Sequence, residues 1–168
     1  MIGMHQSSVK EYRGIQMKKR EKVVTYKPSY IHDSAKIGKG TKIGAFVDIG
    51  KDVVIGADCN IQAHVTISNG AHIGDRVFIG PNTSILNDRY PVSKILTPPT
   101  IHDDVIIGGF VVILPNVSVG EKAVIGAGSV ITKDVQKGSV VYGNPAEHKM
   151  SRQEYEYKKT EWERRMRK

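Results

Sequence analysis

Isoleucine recurs at every sixth position from Ile31 to Ile85, ten times without a miss, and the rhythm resumes at Ile101, Ile107, Ile113, Val119, Ile125 and Ile131. Two places before the aliphatic stands a small or β-branched residue, as at Ala35, Thr41, Val47, Val53, Cys59, Val65, Ala71, Val77 and Thr83. Six is not a helical period. Side chains two apart share one face of a strand, so both positions point to the same side. Glycine commonly follows the aliphatic, as at Gly38, Gly44, Gly50 and Gly56, and is expected to permit a corner that other residues resist. A short strand plus a corner, repeated, makes a coil that stacks on copies of itself at the interstrand distance of ~4.8 Å. One coil cannot bury its own apolar side, so stacking supplies the stability. The pattern predicts an all-β parallel β-helix, with the aliphatics of 31–85 and 101–131 buried inside it.

The rhythm breaks once. From Ile85 to Ile101 is sixteen residues, which is not a multiple of six, so the extra residues of "NDRYPVSKILTPP" must leave the coil as a loop at 86–100. Pro98 and Pro99 stiffen its return, since proline fixes its own φ. Long loops on rigid scaffolds carry function or are disordered, and the mixed chemistry of this one favours function.

Beyond the repeat, "SRQEYEYKKTEWERRMRK" reads as a helix. Ser151 and Glu154 have capping-box spacing. Tyr155, Trp162 and Met166 form a stripe at helical spacing, and Glu154–Lys158 and Glu161–Arg165 are favourable i,i+4 pairs. This helix is expected to cap the solenoid or to pack on a neighbouring subunit. The organisation is a basic leader over 1–28 with one strand around "VVTY", a β-helix over 29–146, and a C-terminal helix over 147–168.

The formal charge of +8 sits at the ends: residues 1–30 carry seven basic and two acidic groups, residues 147–168 eight and five, and 31–146 ten of each. No nucleic-acid-binding motif accompanies them, so no nucleic-acid partner is expected. The ends are either solvated or an attraction for a phosphorylated small molecule. No apolar run approaches the ~18 residues of a membrane span, no membrane association is expected, and "MIGMHQSSVK" lacks the apolar stretch of a signal peptide. A single cysteine, Cys59, excludes an internal disulfide and suits a reducing cytosol, so a cytoplasmic location is expected. At an inward i−2 position it is a packed thiol.

The hexads resemble the hexapeptide-repeat, left-handed parallel β-helix family, over about residues 29–146. The resemblance implies left-handedness and three hexads per coil, hence a little over five coils. Most such proteins are acyltransferases using acetyl-CoA or a related thioester. "NDRYP" resembles the N-D-x-Y-P loop of nucleotide-linked 3-amino-sugar N-acetyltransferases. "IGAGSVITKDV" and "VVYGNPA" resemble the shared C-terminal coils of the wider acetyltransferase group. The resemblance implies an acetyl-CoA-dependent N-acetyltransferase acting on the amine of a nucleotide-linked amino sugar. It also implies a homotrimer with its site between subunits and the loop reaching a neighbour.

The same resemblance implies roles for individual residues. His64 points outward three places after Ile61; it is a base or acceptor contact, or else a solvated histidine. Asp88 steers the amine, and Asn87, Arg89 and Tyr90 contact the substrate, although Asn and Asp also form turns. Gly109, Ala127 and Thr132 line the acetyl-CoA path, and Lys133 meets a CoA phosphate. Many relatives have Arg or Lys straight after "GNPA", where this chain has Glu147; Lys149 or Arg152 would have to substitute. His32, His72 and His102 read as surface residues beside corners. No metal is expected, because the closest histidine pair in the solenoid, His64 and His72, lies eight apart. Two other readings stand: O-acetylation of a sugar or serine hydroxyl, and a structural β-helix without catalysis.

Overall fold

The computed structural model describes residues 22–167, so most of the expected leader lies outside the described residues. Seventeen two-residue strands run from Val24–Thr25 to Val130–Ile131 and assemble into three parallel faces. Face 1 contains Val24–Thr25, Lys42–Ile43, Asn60–Ile61, Phe78–Ile79, Ile106–Ile107 and Val124–Ile125. Face 2 contains Tyr30–Ile31, Asp48–Ile49, Thr66–Ile67, Ser84–Ile85, Val112–Ile113 and Val130–Ile131. Face 3 contains Lys36–Ile37, Val54–Ile55, His72–Ile73, Thr100–Ile101 and Ser118–Val119. The result is the left-handed parallel β-helix, a triangular prism with the aliphatics inside it. Ile43, Ile61, Ile79, Ile107 and Ile125 stack in register behind face 1, each 0–1% exposed. Ile31 and Ile37, on the first coil, are only half-buried, since among the described residues their strands pair on one side alone.

The corners follow a different rule from the expected one. The left-handed backbone sits three residues after the aliphatic, at Phe46, His64, Asn82 and Phe110 (φ 57–60°) between faces 1 and 2, not at the glycine. The glycine has another duty. A Cβ on Gly44 would lie 2.5 Å from the Ala63 nitrogen of the next coil, and one on Gly80 2.5 Å from that of Gly109. It is close stacking of coils, not a positive φ, that demands glycine there.

Strands one coil apart pair at a separation of eighteen residues, as Thr66 with Ser84, but Ser84 pairs with Val112, twenty-eight away. The interruption therefore adds ten residues, and the coils close beneath and above it. Pro99 is buried, and its carbonyl accepts from the His72 N–H at 3.1 Å. On the edge between faces 3 and 1, Arg76 ties the coil below the insertion to the coil above. Its Nε donates to Asp104 Oδ1 at 2.7 Å and its Nη2 to Asp104 Oδ2 at 3.0 Å and Asp103 Oδ2 at 3.4 Å.

The Arg76 guanidinium holds the Asp104 carboxyl below its ordinary range, chiefly by the side-chain hydrogen bond. A carboxylate lowered in the folded state stabilises fully above its unfolded value of about 3.9 and ceases to do so as pH falls through the folded value. Thermal melts of the parent and Arg76→Met between pH 6 and pH 2.5 check this. The parent melts higher at pH 6, where the variant leaves Asp75, Asp103 and Asp104 without the guanidinium that lies within 4 Å of each carboxylate, and the gap closes in acid.

After the last coil the chain forms an antiparallel hairpin, Ser139–Gly143 against Ala146–Ser151, that extends face 1, and then the helix Arg152–Met166. Residues 146–151 are thus strand where helix was expected from 147. The Ser151 hydroxyl accepts from the Glu154 N–H at 3.2 Å, as the cap requires, while the Glu154 carboxylate pairs with Lys158 at 2.8 Å. Glu161 pairs with Arg164 rather than Arg165. The helix buries no residue, and Trp162 is 61% exposed.

Candidate active site

The residues singled out in the sequence fall on two edges of the prism. The edge between faces 1 and 2 carries His64, Gly109 and Ala127, with the coil of Pro81 and Asn82 lying between those of His64 and Gly109. At four of these corners a side chain is held outward by a left-handed backbone, and Gly128 takes the place on the Ala127 coil, so His64 is exposed because the repeat puts it there. Its ring stacks on that of Phe46, with centroids 4.8 Å apart and planes 7° from parallel. Its backbone N–H donates to the Ala45 carbonyl at 3.0 Å. Gly109 accepts from the Gly128 N–H at 2.9 Å, and a Cβ there would come within 3.1 Å of the Pro81 carbonyl oxygen. Ala127 is exposed. The edge has an exposed backbone with small side chains near its top, flanked by the exposed rings of Phe46 and Phe110.

The edge between faces 2 and 3 carries the loop. Its base is closed by the Thr97 N–H donating to the Asn87 carbonyl at 2.8 Å, and the Asn87 amide donates to the Asn69 carbonyl at 3.0 Å. The Asp88 carboxylate accepts from the Tyr90 N–H at 3.1 Å and from the Ser93 N–H at 2.9 Å, so both oxygens shape the loop. Each oxygen keeps a second lone pair for a ligand. Arg89 and Tyr90 are exposed, and Val92, Ile95 and Leu96 add an apolar tip. Above the loop on this edge lie Thr132 and Lys133, both exposed.

Lys133 borders a concavity of about 220 Å³ whose floor includes Ile131, Val135, Val141 and Ala146, with His148 on its rim. The hairpin brings His148 there by pairing it with Val141, a neighbour that no periodicity in the chain signals. Of the two candidates to replace the basic group missing at Glu147, Lys149 is paired with Glu147 itself at 3.1 Å. Arg152 is paired with Glu156 at 2.6 Å and donates to the Lys122 carbonyl at 3.1 Å. Lys133 is left as the cation of this concavity. Cys59 is buried, and desolvation pushes its thiol up, which makes it a packing residue.

Sequence reasoning also missed a larger concavity, about 510 Å³, on face 2 beneath Asn87. Three of its residues, Tyr30, Asp48 and Thr66, are eighteen apart and in register on neighbouring strands. That spacing was the available signal.

The family description bacterial transferase hexapeptide (six repeats) matches residues 34–69 and 98–133, on either side of the loop. Over those two stretches the chain is similar to that family. Among curated relatives, the galactoside O-acetyltransferase of Escherichia coli is 42% identical over 81 residues, 44% of this chain and 40% of that protein. The 2,3,4,5-tetrahydropyridine-2,6-dicarboxylate N-acetyltransferase of Staphylococcus aureus is 41% identical over 73 residues, 44% of this chain and 30% of that protein. The chain thus matches well under half the length of these relatives. Among solved structures, PerB from Caulobacter crescentus, in complex with CoA and GDP-perosamine, superposes with a TM-score of 0.68 at 21% identity, over 76% of this chain and 58% of that one. The acetyltransferase domain of PglB from Neisseria gonorrhoeae, in complex with acetyl coenzyme A, gives 0.65 at 23% identity, over 76% and 57%. At these identities the likeness is one of fold.

Proposed function

We propose that this protein is an acetyl-CoA-dependent N-acetyltransferase acting on the amine of a nucleotide-linked amino sugar. The observation that carries the reading is the ten-residue insertion, which places Asn87, Asp88 and Tyr90 at one edge of a chain similar in sequence to acetyltransferases. PerB, of like fold, was solved with CoA and an amino-sugar nucleotide, and that complex supports the same ligand classes here.

The acceptor's own amine attacks the thioester carbonyl, so no covalent enzyme intermediate is required. The His64 imidazole takes the amine's proton as the C–N bond forms and passes it to the CoA sulfur as the C–S bond breaks, so that CoA leaves as the free thiol. Gly109 and Ala127 permit pantetheine to lie close to the backbone, and Lys133 meets a phosphate. Six residues at ~3.3 Å put neighbouring edges at most about 20 Å apart, with face 2 between His64 and the loop. Within one chain His64 and Asp88 thus belong to different edges of the prism. A homotrimer, in which the loop of one subunit lies against the His64 edge of the next, would bring them together. Light scattering at three times 18.6 kDa supports this assembly, and an active monomer overturns it.

Identity to the galactoside O-acetyltransferase favours a second reading, transfer to a hydroxyl. Its far higher pKa would make the base indispensable. Thiol release from acetyl-CoA against nucleotide-linked amino sugars and their hydroxyl counterparts separates the readings. Release with the amine alone is expected. Equal release with the hydroxyl compound favours O-transfer, and absence of both release and CoA binding favours a structural β-helix.

A further inference from the structure

Face 2 carries the concavity of about 510 Å³ between the first coils and the base of the loop. We propose that it binds a hydroxylated sugar ring. That this ring belongs to the acetyl acceptor rests on the transferase reading; that the concavity takes a sugar does not.

The protein's own hydrogen bonds sort its polar groups into free donors and free acceptors. The Ser34 N–H donates to His32 Nδ1 at 3.2 Å, so in the neutral ring the proton is on Nε2, which is left to donate. Asn69 Oδ1 accepts from the Lys51 N–H at 2.8 Å, which leaves its amide hydrogens. One hydrogen of the Asn87 amide goes to the Asn69 carbonyl, which leaves the other hydrogen and the Asn87 oxygen. Asp48 contributes acceptors alone, and Thr66 both kinds. Mixed donors and acceptors suit hydroxyls, each of which gives one hydrogen bond and receives others.

The geometry points the same way. Tyr30, Asp48 and Thr66 stand side by side on adjacent strands, so Tyr30 and Thr66 are roughly 10 Å apart at ~4.8 Å per strand, room for one six-membered ring. Tyr30 is 62% exposed, a flat apolar surface at one end of a polar wall, suited to the C–H face of a sugar. Phosphate is disfavoured: Asp48 repels it, and Lys51 lies against Asp52 at 3.9 Å. An amine-bearing ring is favoured by the same carboxylate.

The test uses the whole chain with glucose and 2-amino-2-deoxyglucose, read by saturation-transfer NMR, alongside turnover on the nucleotide-linked amino sugars. Asp48→Asn and Tyr30→Ala alter exposed side chains, and unchanged melting confirms that the fold is kept. The expected result is sugar signal in the parent, stronger for the amino sugar, and at least tenfold weaker binding in both variants. Acceptor KM then rises by a similar factor while the KM for acetyl-CoA stays put. Sugar signal unaltered in both variants places the binding elsewhere and overturns the proposal, as does absence of signal from the parent. Loss of signal in the variants when the parent transfers no acetyl group leaves the sugar site standing and removes the transferase reading instead.

Discussion

Ile61→Asp unfolds the protein, while Asn60→Asp, one residue earlier, leaves its melting unchanged. Ile61 is 1% exposed, between Ile43 and Ile79 in the stack behind face 1, whereas Asn60 faces solvent. A carboxylate at position 61 has no partner inside the prism and costs several kcal/mol, a large share of the roughly 5–15 kcal/mol that holds a domain folded. A surface change of this kind stays within about 0.5 kcal/mol. Because an unfolded Asp variant gives no melting curve to compare, Ile61→Val and Ile61→Ala complete the series. The first is expected to lose about 1 kcal/mol and the second about 2–5 kcal/mol, read from urea unfolding midpoints. Equal stability of Ile61→Ala and parent would mean that the coils are not packed as described.

On the proposed transferase reading, replacing residues 88–96 by two glycines is expected to abolish acetyl transfer while the coils stay folded and acetyl-CoA still binds. The structure fixes where to cut. Asn87 and Thr97 close the loop base, and the Thr97 carbonyl accepts from the Asn116 N–H of the next coil at 2.7 Å, so both must stay. Loop length is thermodynamically cheap, which is why melting should hold. Thermal melting, CoA titration and a turnover assay check the three parts, and full turnover in the deletion would mean that the acceptor binds away from the loop. Asp88→Asn is not the mild variant that charge alone suggests. Its new NH₂ group would face either the Tyr90 or the Ser93 N–H, both now held by the carboxylate. That substitution therefore disturbs the loop as well as removing a charge, and it reads less cleanly than the deletion.

The coils were legible in the sequence because a six-residue period leaves each aliphatic one environment, and stacking repeats it. The loop's position was legible from the failure of that period, sixteen residues where twelve or eighteen would keep register. The ten-residue length followed only from the pairing of Ser84 with Val112. The duty of the glycines was not legible, since a clash with the next coil depends on how closely the coils stack. Nor was the strand at 146–151, which exists by its pairing with Ser139–Gly143, while the local helix signals begin at the Ser151 cap.

The candidate site divides along the same line. By itself the sequence determined the outward placement of His64, the protrusion of Asn87–Tyr90 and the inward packing of Cys59, because these follow from the position of a residue within its hexad. Only the tertiary structure decided which edge each hexad occupies. It set His64 and the loop on opposite borders of face 2, gathered Tyr30, Asp48 and Thr66 into one wall, and brought His148 beside Lys133. Period six fixes inside against outside, while neighbours across coils are eighteen residues apart, or twenty-eight across the loop. Those neighbours are set by how the chain closes each turn.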